Sequence, residues 1–402
     1  MMKRMLLLLT VLLLLCGAAL ADDMPLRIMT ASDLHFIAPA LYQDSALFEQ
    51  ALATGDGKAA MYSAELLEAF MAEVRHQAPD LLVLSGDLTF NGELESHRVL
   101  SDAMRTLSQE GIRVAVIPGN HDVNTGSAMR YLPYSWEKAE DTTPEQFAAL
   151  WQGLTADAFP GPGSSGVVQL PGNVWVVLGD YSVYDPVNAS NGLLTQAHRT
   201  WLDEVTAAAR EAGAQLISVS HQSMIPHTTY SAETYAIWLG EDAMRVLADA
   251  GCVLNLSGHM HIQHVLSGTV MTDIATGAWC MTPHRYAMVT VADGRVTYEA
   301  RAVCPEHAAA GILEASHAFY RRTAEAKLRR SFAEAPDEAA LADMVSYAAD
   351  VNEAYFAGTL SQHPEYFDDA RRSRWEEGSS FSRYMTTLLA EAPADCLHWQ
   401  SP

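Results

Sequence analysis

Positive charge is scarce in this chain. Lysine and arginine number 25 against 49 aspartates and glutamates in 402 residues, a formal net charge of −24. No basic cluster exceeds Arg321-Arg322 or residues 327–330. Proteins that grip a nucleic-acid backbone do so by neutralising phosphates with clustered Lys and Arg, so that partner class is not expected. A strongly acidic balance suits a soluble exported protein instead. Cysteine is also sparse, and none of the five forms a C-x-x-C pair, which excludes a cysteine zinc site of the usual spacing. Cys252, Cys280, Cys304 and Cys396 read as buried thiols or as one or two bridges of undetermined connectivity. Long apolar runs are nearly absent too. The single one, residues 5–15, falls well short of the roughly twenty residues a membrane span needs.

That run follows Lys3-Arg4 and precedes Ala19-Leu20-Ala21, a small-x-small cleavage site. The pattern is that of a secretory signal peptide. Cleavage after Ala21 gives a mature chain starting at Asp22, exported to a secreted, periplasmic or extracellular location, with no transmembrane span. Cys16-Gly17 offers a lipid-attachment alternative, but Leu15 before it is not small, which disfavours anchoring.

Beyond the leader, residues 26–30, 81–84, 114–117, 174–178, 216–219 and 253–256 are short apolar runs of strand length. Helix-like stretches at 60–76, 94–110 and 195–212 separate them, and such alternation predicts an α/β layered fold. Over 265–302 the sequence turns to Thr, Val and turn residues, and Asp293-Gly294 between two alternating runs predicts a hairpin closing a second sheet. From about Pro305, Ala, Glu, Leu and Arg dominate. The expected organisation is a leader over 1–21, a layered α/β domain over 22–304 and a helical C-terminal region over 305–402. Residues 161–166 read as a flexible surface loop.

Five short motifs fall at or near the ends of predicted strands: Asp33-Leu34-His35, Gly86-Asp87, Gly119-Asn120-His121-Asp122, His221 and Gly258-His259-Met260-His261. Loops beyond the carboxyl ends of strands in α/β sheets converge on one crevice. What converges is oxygen and imidazole without thiolate, a donor set that suits Zn, Mn or Fe. In Asp-x-His and His-x-His the alternating pair lets both side chains turn into one pocket. The glycines let the backbone turn sharply beside the ions. His227, six residues after His221, competes with it for the fourth motif.

In content, order and spacing these motifs, with the longer phrase over residues 86–97, resemble those of the calcineurin-like metallophosphoesterase family from about Asp33 to His261. The resemblance implies an α-β-β-α sandwich of two mixed sheets flanked by helices. It also implies two divalent ions, one held by Asp33, His35, Asp87 and His261, the other by Asp87, Asn120, His221 and His259. His121 would then protonate the leaving oxygen and Asp122 would orient it. Such a pair of ions deprotonates a shared water and clamps an in-line displacement at phosphorus. The flanks of the second motif are closer to the phosphodiesterase subset, including class III cyclic-nucleotide enzymes, than to purple acid phosphatases.

The expected activity is hydrolysis of a small phosphoester. Around the motifs, segments 33–39, 85–92, 118–126, 220–227 and 257–264 contain no Lys or Arg. A monoester dianion calls for extra cationic clamps, so a singly charged diester is the better match, unless Arg285 or a basic residue from the C-terminal helices enters the cleft. Asn91 and His264 are candidate substrate contacts, set against a turn and a strand edge. His284 and Arg285 read as surface loop or as cleft residues from the second sheet, and Trp136, Trp151, Tyr181 and Tyr184 as packing. A phosphomonoesterase and a non-catalytic metal-binding protein of the same fold are the alternatives. His121 argues against the second, since a structural metal site has no use for a non-ligand imidazole. Metal identity and oligomeric state are left open by the donor set.

Overall fold

The computed structural model describes residues 25–42, 45–55, 57–185, 188–229, 235–332, 337–367, 380–390 and 395–402. The leader over 1–21, with Cys16 and the expected new terminus at Asp22, lies outside the described residues.

Fourteen strands are described: β1 (Leu26–Ala31), β2 (Leu81–Ser85), β3 (Val114–Ile117), β4 (Met129–Tyr131), β5 (Trp136–Lys138), β6 (Gly166–Leu170), β7 (Val174–Gly179), β8 (Gln215–Ser220), β9 (Leu254–Ser257), β10 (His264–Ser267), β11 (Thr272–Ala275), β12 (Arg285–Ala292), β13 (Arg295–Ala302) and β14 (His398–Gln400). One mixed sheet has the order β14-β13-β12-β1-β2-β3 and a second the order β10-β11-β9-β8-β7-β6. All six apolar runs seen in the sequence are strands.

The layering follows from the period of two. Along β1 and β2, Ile28, Leu81 and Val83 enter a core shared with Val176, Ile217, Val219 and Leu256 of the second sheet. Their neighbours Met29, Leu82 and Leu84 face outward and meet Phe70, Val74, Leu100 and Met104 of helices α1 (Ser63–Gln77) and α2 (Leu94–Gln109). On the far side, Trp175, Val177 and Leu216 pack against Leu202, Val205 and Leu247 of α3 (Gln196–Ala212) and α4 (Gly240–Asp249). Strands buried on both faces read as continuous apolar runs rather than alternating ones. The result is an α-β-β-α sandwich.

Two expectations are corrected. The hairpin at Asp293-Gly294 extends the first sheet, because β12 pairs antiparallel with β1 from Leu26↔Val291 to Thr30↔Ala287. A different pair, β10 and β11, completes the second sheet. The segment 161–166 is a fixed turn: Gly161 N donates to Ser165 O at 2.9 Å and Ser164 N to the buried Asp180 carboxylate at 2.8 Å.

The C-terminal region carries α5 (Ile312–Ser331), α6 (Glu338–Phe356) and α7 (Ser380–Ala390). It is not wholly helical, since β14 returns to pair with β13. Ile262, just before β10, and Ala275 at the end of β11 join the core of these helices. No helix among the described residues is long and apolar enough to cross a membrane. Cys252, Cys280, Cys304 and Cys396 are all free thiols.

Candidate metal centre

Each motif follows the carboxyl end of a parallel strand: Asp33 and His35 follow β1, Asp87 β2, Asn120 β3, His221 β8, and His259 and His261 β9. Backbone bonds fasten these loops to one another. Asp33 N donates to Gly86 O (3.0 Å), His35 N to Asp87 O (2.9 Å) and Gly258 N to His221 O (2.9 Å). Asp33, His35, Asp87, His259 and His261 all have positive φ, from 41° to 64°. Few non-glycine residues adopt that region, and strain of this kind persists where the surroundings over-determine it. Here the tethers do so, and the side chains are turned inward. Two glycines leave the necessary room. A Cβ on Gly119 would lie 2.3 Å from Asp87 Oδ1, and one on Gly258 would lie 1.7 Å from Ser32 Oγ.

The side chains gather into two groups that share one residue. Asp33, His35, Asp87 and His261 place a donor atom each within 4.8 Å of one another, and so do Asp87, His221 and His259. Within them His35 Nε2 lies 3.1 Å from His261 Nε2 and 3.5 Å from Asp87 Oδ2. His221 Nε2 lies 3.2 Å from Asp87 Oδ1 and 3.2 Å from Asn120 Oδ1. Atoms about 2.1 Å from a tetrahedral ion sit roughly 3.4 Å apart, so the spacing fits a cation at the centre of each group. The Nε2 of His259 is buried with no hydrogen-bond partner, as expected of a nitrogen aimed at an ion. The residues therefore fit two divalent ions with Asp87 common to both.

Electrostatics point the same way. Burial alone would raise the Asp87 carboxyl, but the imidazoles of His221, His121 and His35 hold it well below the usual carboxylate range. Burial opposes charge on His221, yet Asp87 and Asp33 outweigh it, and where protons alone balance these carboxylates His221 is pushed up to about 9. The cluster demands positive charge. His221 is oriented by its Nδ1, 2.9 Å from Ser85 O. Its rival His227 lies elsewhere, with Nδ1 2.9 Å from the Nδ1 of His264.

His121 sits beside the cluster. Its backbone N donates to Asp87 Oδ1 (2.8 Å), and its Nδ1 faces Phe90 O (3.1 Å) and Asn91 Oδ1 (2.9 Å). A carbonyl can only accept, so Nδ1 carries the proton and Nε2 is left for the cleft. Asp122 does not touch this ring. Its buried carboxylate accepts from Leu88 N (3.1 Å), Thr89 N (2.9 Å), Thr89 Oγ1 (2.9 Å) and Gly119 N (2.8 Å), clamping two metal loops together. The orienting part expected of Asp122 falls to Asn91 and the Phe90 carbonyl.

Asn91 thus serves His121 and does not line the cleft, and His264 is buried at the head of β10 against His227. His284 is buried with Nδ1 2.7 Å from Trp279 O. Arg285 donates to Ala357 O (2.8 Å) and lines a separate depression. Trp151 and Tyr181 are core residues, whereas Trp136 is exposed.

Three residues escaped the sequence reading. His97 is fully buried, with Nε2 2.9 Å from Asp122 O. Asn188 Nδ2 donates to Asn120 O (2.9 Å) and Val123 O (2.8 Å), pinning the third motif. Lys58, far from every motif, lines the cleft alongside Asp87, Asn120 and His121. A lysine after Gly55 and Gly57 is too weak a turn signal to have revealed it.

Fold and site together define a metal-dependent phosphoric ester hydrolase with a two-metal centre. The family model for calcineurin-like phosphoesterases matches residues 26–263, and the chain belongs to that family. Among solved structures it is similar to a dimetal phosphatase from Danio rerio, at 15% identity and a TM-score of 0.50 over 70% of this chain and 98% of that one. A more distant likeness is to a putative 5'-nucleotidase from Staphylococcus aureus, at 12% identity and a TM-score of 0.38 over 66% of this chain and 51% of that one. No curated protein matches the chain.

Proposed function

We propose that this hydrolase cleaves small phosphodiesters bearing an apolar or planar substituent. One observation carries the reading. The cleft at the metal centre, about 500 Å3, is lined by the polar groups of Asp87, Asn120 and His121 and by Tyr355, Phe356, Tyr384 and Leu388 from α6 and α7. Ligand sites commonly combine such an apolar lining with a few placed polar groups. A diester has a second organic arm to lay on those apolar side chains, and the leaving arm would depart beside His121. The C-terminal region, residues 305–402, supplies specificity in this account and residues 22–304 the chemistry.

Asp33, His35, Asp87 and His261 would hold one ion, and Asp87, Asn120, His221 and His259 the other. When bound, such ions supply Lewis acidity toward the phosphoryl group and make water acidic enough to attack near neutral pH. His121, protonated on both ring nitrogens, would donate its Nε2 proton to the departing alkoxide as the P–O bond breaks. The tautomer left behind keeps its proton on Nδ1, the form that Phe90 and Asn91 already hold. Asp122, His97 and Asn188 keep the loops in register. The test is the ratio of kcat/KM for bis(p-nitrophenyl) phosphate to that for p-nitrophenyl phosphate, on Mn-reconstituted protein at one pH. A ratio above one is expected. A value well below one would favour the second reading, a phosphomonoesterase, to which the cation Lys58 in the cleft lends support.

Export after cleavage at Ala21 belongs to the same proposal, on the strength of the charged, apolar and small-residue order of the leader. The intact mass of the exported protein should correspond to a chain starting at Asp22. A diacylglycerol-modified Cys16 would overturn it.

A further inference from the structure

We propose that Lys58 forms an anion subsite that binds a phosphoryl oxygen of the substrate and sets how strongly the enzyme favours a doubly charged phosphate. The inference rests on the hydrolase reading above and names a group none of the metal motifs contains.

Lys58 is held in place by backbone on both sides. A Cβ at Gly57, where φ is +98°, would come within 2.8 Å of Tyr320 Cδ2, so the chain lies flat against α5 at a point only glycine allows. On the other side Ala59 N donates to Cys280 O (2.8 Å), and Cys280 N in turn donates to Asp33 O (3.1 Å). Two bonds thus connect the Lys58 segment to a candidate ligand. Lys58 itself is half-buried and lines the same cleft as Asp87, Asn120 and His121.

Its place in the cleft puts it on the same lining as the polar groups of the metal centre. Among the described residues lining the cleft it is the one Lys or Arg. A lysine works as a compact point charge with three rotatable donors, suited to a phosphate oxygen that needs no bidentate fork. A second negative charge on the phosphoryl group therefore interacts more strongly with this position than a single one does.

The experiment uses Mn-loaded protein with Lys58 intact, with Lys58→Gln and with Lys58→Arg, and Lys327→Gln on the exposed face of α5 as control. Inorganic phosphate binding is measured by calorimetry at pH 8, with metal content by elemental analysis. Lys58→Gln should retain metal and bind phosphate roughly ten- to a hundredfold more weakly, the scale of one lost charged hydrogen bond. Lys58→Arg should stay much closer to the parent and Lys327→Gln should be unchanged. In turnover, Lys58→Gln should lose at least about tenfold more kcat/KM on p-nitrophenyl phosphate than on bis(p-nitrophenyl) phosphate. Should Lys58→Gln fail to fold, Lys58→Met, which fills the same stem, takes its place. Unchanged phosphate affinity, equal losses on the two esters, or loss of metal would each overturn the assignment. The phosphate measurement reads Lys58 even if the parent enzyme prefers monoesters, so it stands or falls separately from the diester proposal.

Discussion

The Nδ1 of His121 lies 2.9 Å from the Oδ1 of Asn91, and that contact separates two functions within one motif. His121 belongs to the loop that carries Asn120, yet its ring is steered from the loop after β2. Replacing His121 with Ala should therefore leave metal content intact and reduce kcat by about a hundredfold or more, the usual scale for a lost general acid. Asn91→Ala should give a smaller loss of kcat with the same metal content, since the Phe90 carbonyl still holds the ring. If His121→Ala loses both ions by elemental analysis, the division of labour is wrong.

Asp87 stands at the junction of the two donor groups. Asp87→Asn removes the charge that balances both sites and should cost about one metal equivalent, with more damage to activity than any other ligand substitution. Exhaustive chelation of the parent should abolish turnover and Mn or Zn should restore it. Full activity in protein shown by elemental analysis to hold no metal would falsify the metal assignment.

Asp122 should behave unlike either. Its carboxylate satisfies four donors in a site with no solvent, and each buried donor left unpaired costs about 1–3 kcal/mol. Asp122→Ala should lower the melting temperature markedly and weaken metal binding together with activity. A variant that melts like the parent but has lost only rate would return Asp122 to a role at the His121 ring.

Glu93 gives a pH signature. It is fully buried, one carboxylate oxygen lacks a partner, and burial raises its acid from 4.5 to about 7. Between those values the folded chain holds a proton that the unfolded chain releases, so this group's contribution to stability falls as pH rises from 4.5 to 7 and is level above. Glu93→Gln removes the titration. It should be more stable than the parent by roughly 2 kcal/mol or more at pH 8, and much less so at pH 5, because each tenfold weakening of an acid on folding corresponds to about 1.4 kcal/mol. Thermal melts at the two pH values decide this, and parallel changes at both would refute it.

The candidate metal ligands were legible in the sequence because each sits within a few residues of an apolar strand, and a strand buried on both faces announces itself. The pairing of β12 with β1 was not legible, because a hairpin's local pattern fixes its own turn and says nothing of its neighbour. Lys58 was invisible for a similar reason. Its place in the cleft depends on a backbone bond from Ala59 to Cys280, more than two hundred residues away in the chain. The part played by Asp122 was hidden because its partners are mostly backbone amides, which carry no residue identity. The motif segments are free of Lys and Arg, and the cation of the cleft folds in from outside them.

The return of β14 to the first sheet bears on the order in which the protein can be assembled. β14 is made long after β1, yet both lie in one sheet, in the order β14-β13-β12-β1. A growing chain that has not yet released residues 398–400 presents β13 with an unpaired edge, which other strands can capture. Cys396 O accepts from Gln263 Nε2 at 2.8 Å, just beyond the last metal motif. The segment before β14 thus fastens the residues after His261, and completion of the catalytic cleft waits on a part of the chain made more than a hundred residues after its last metal motif.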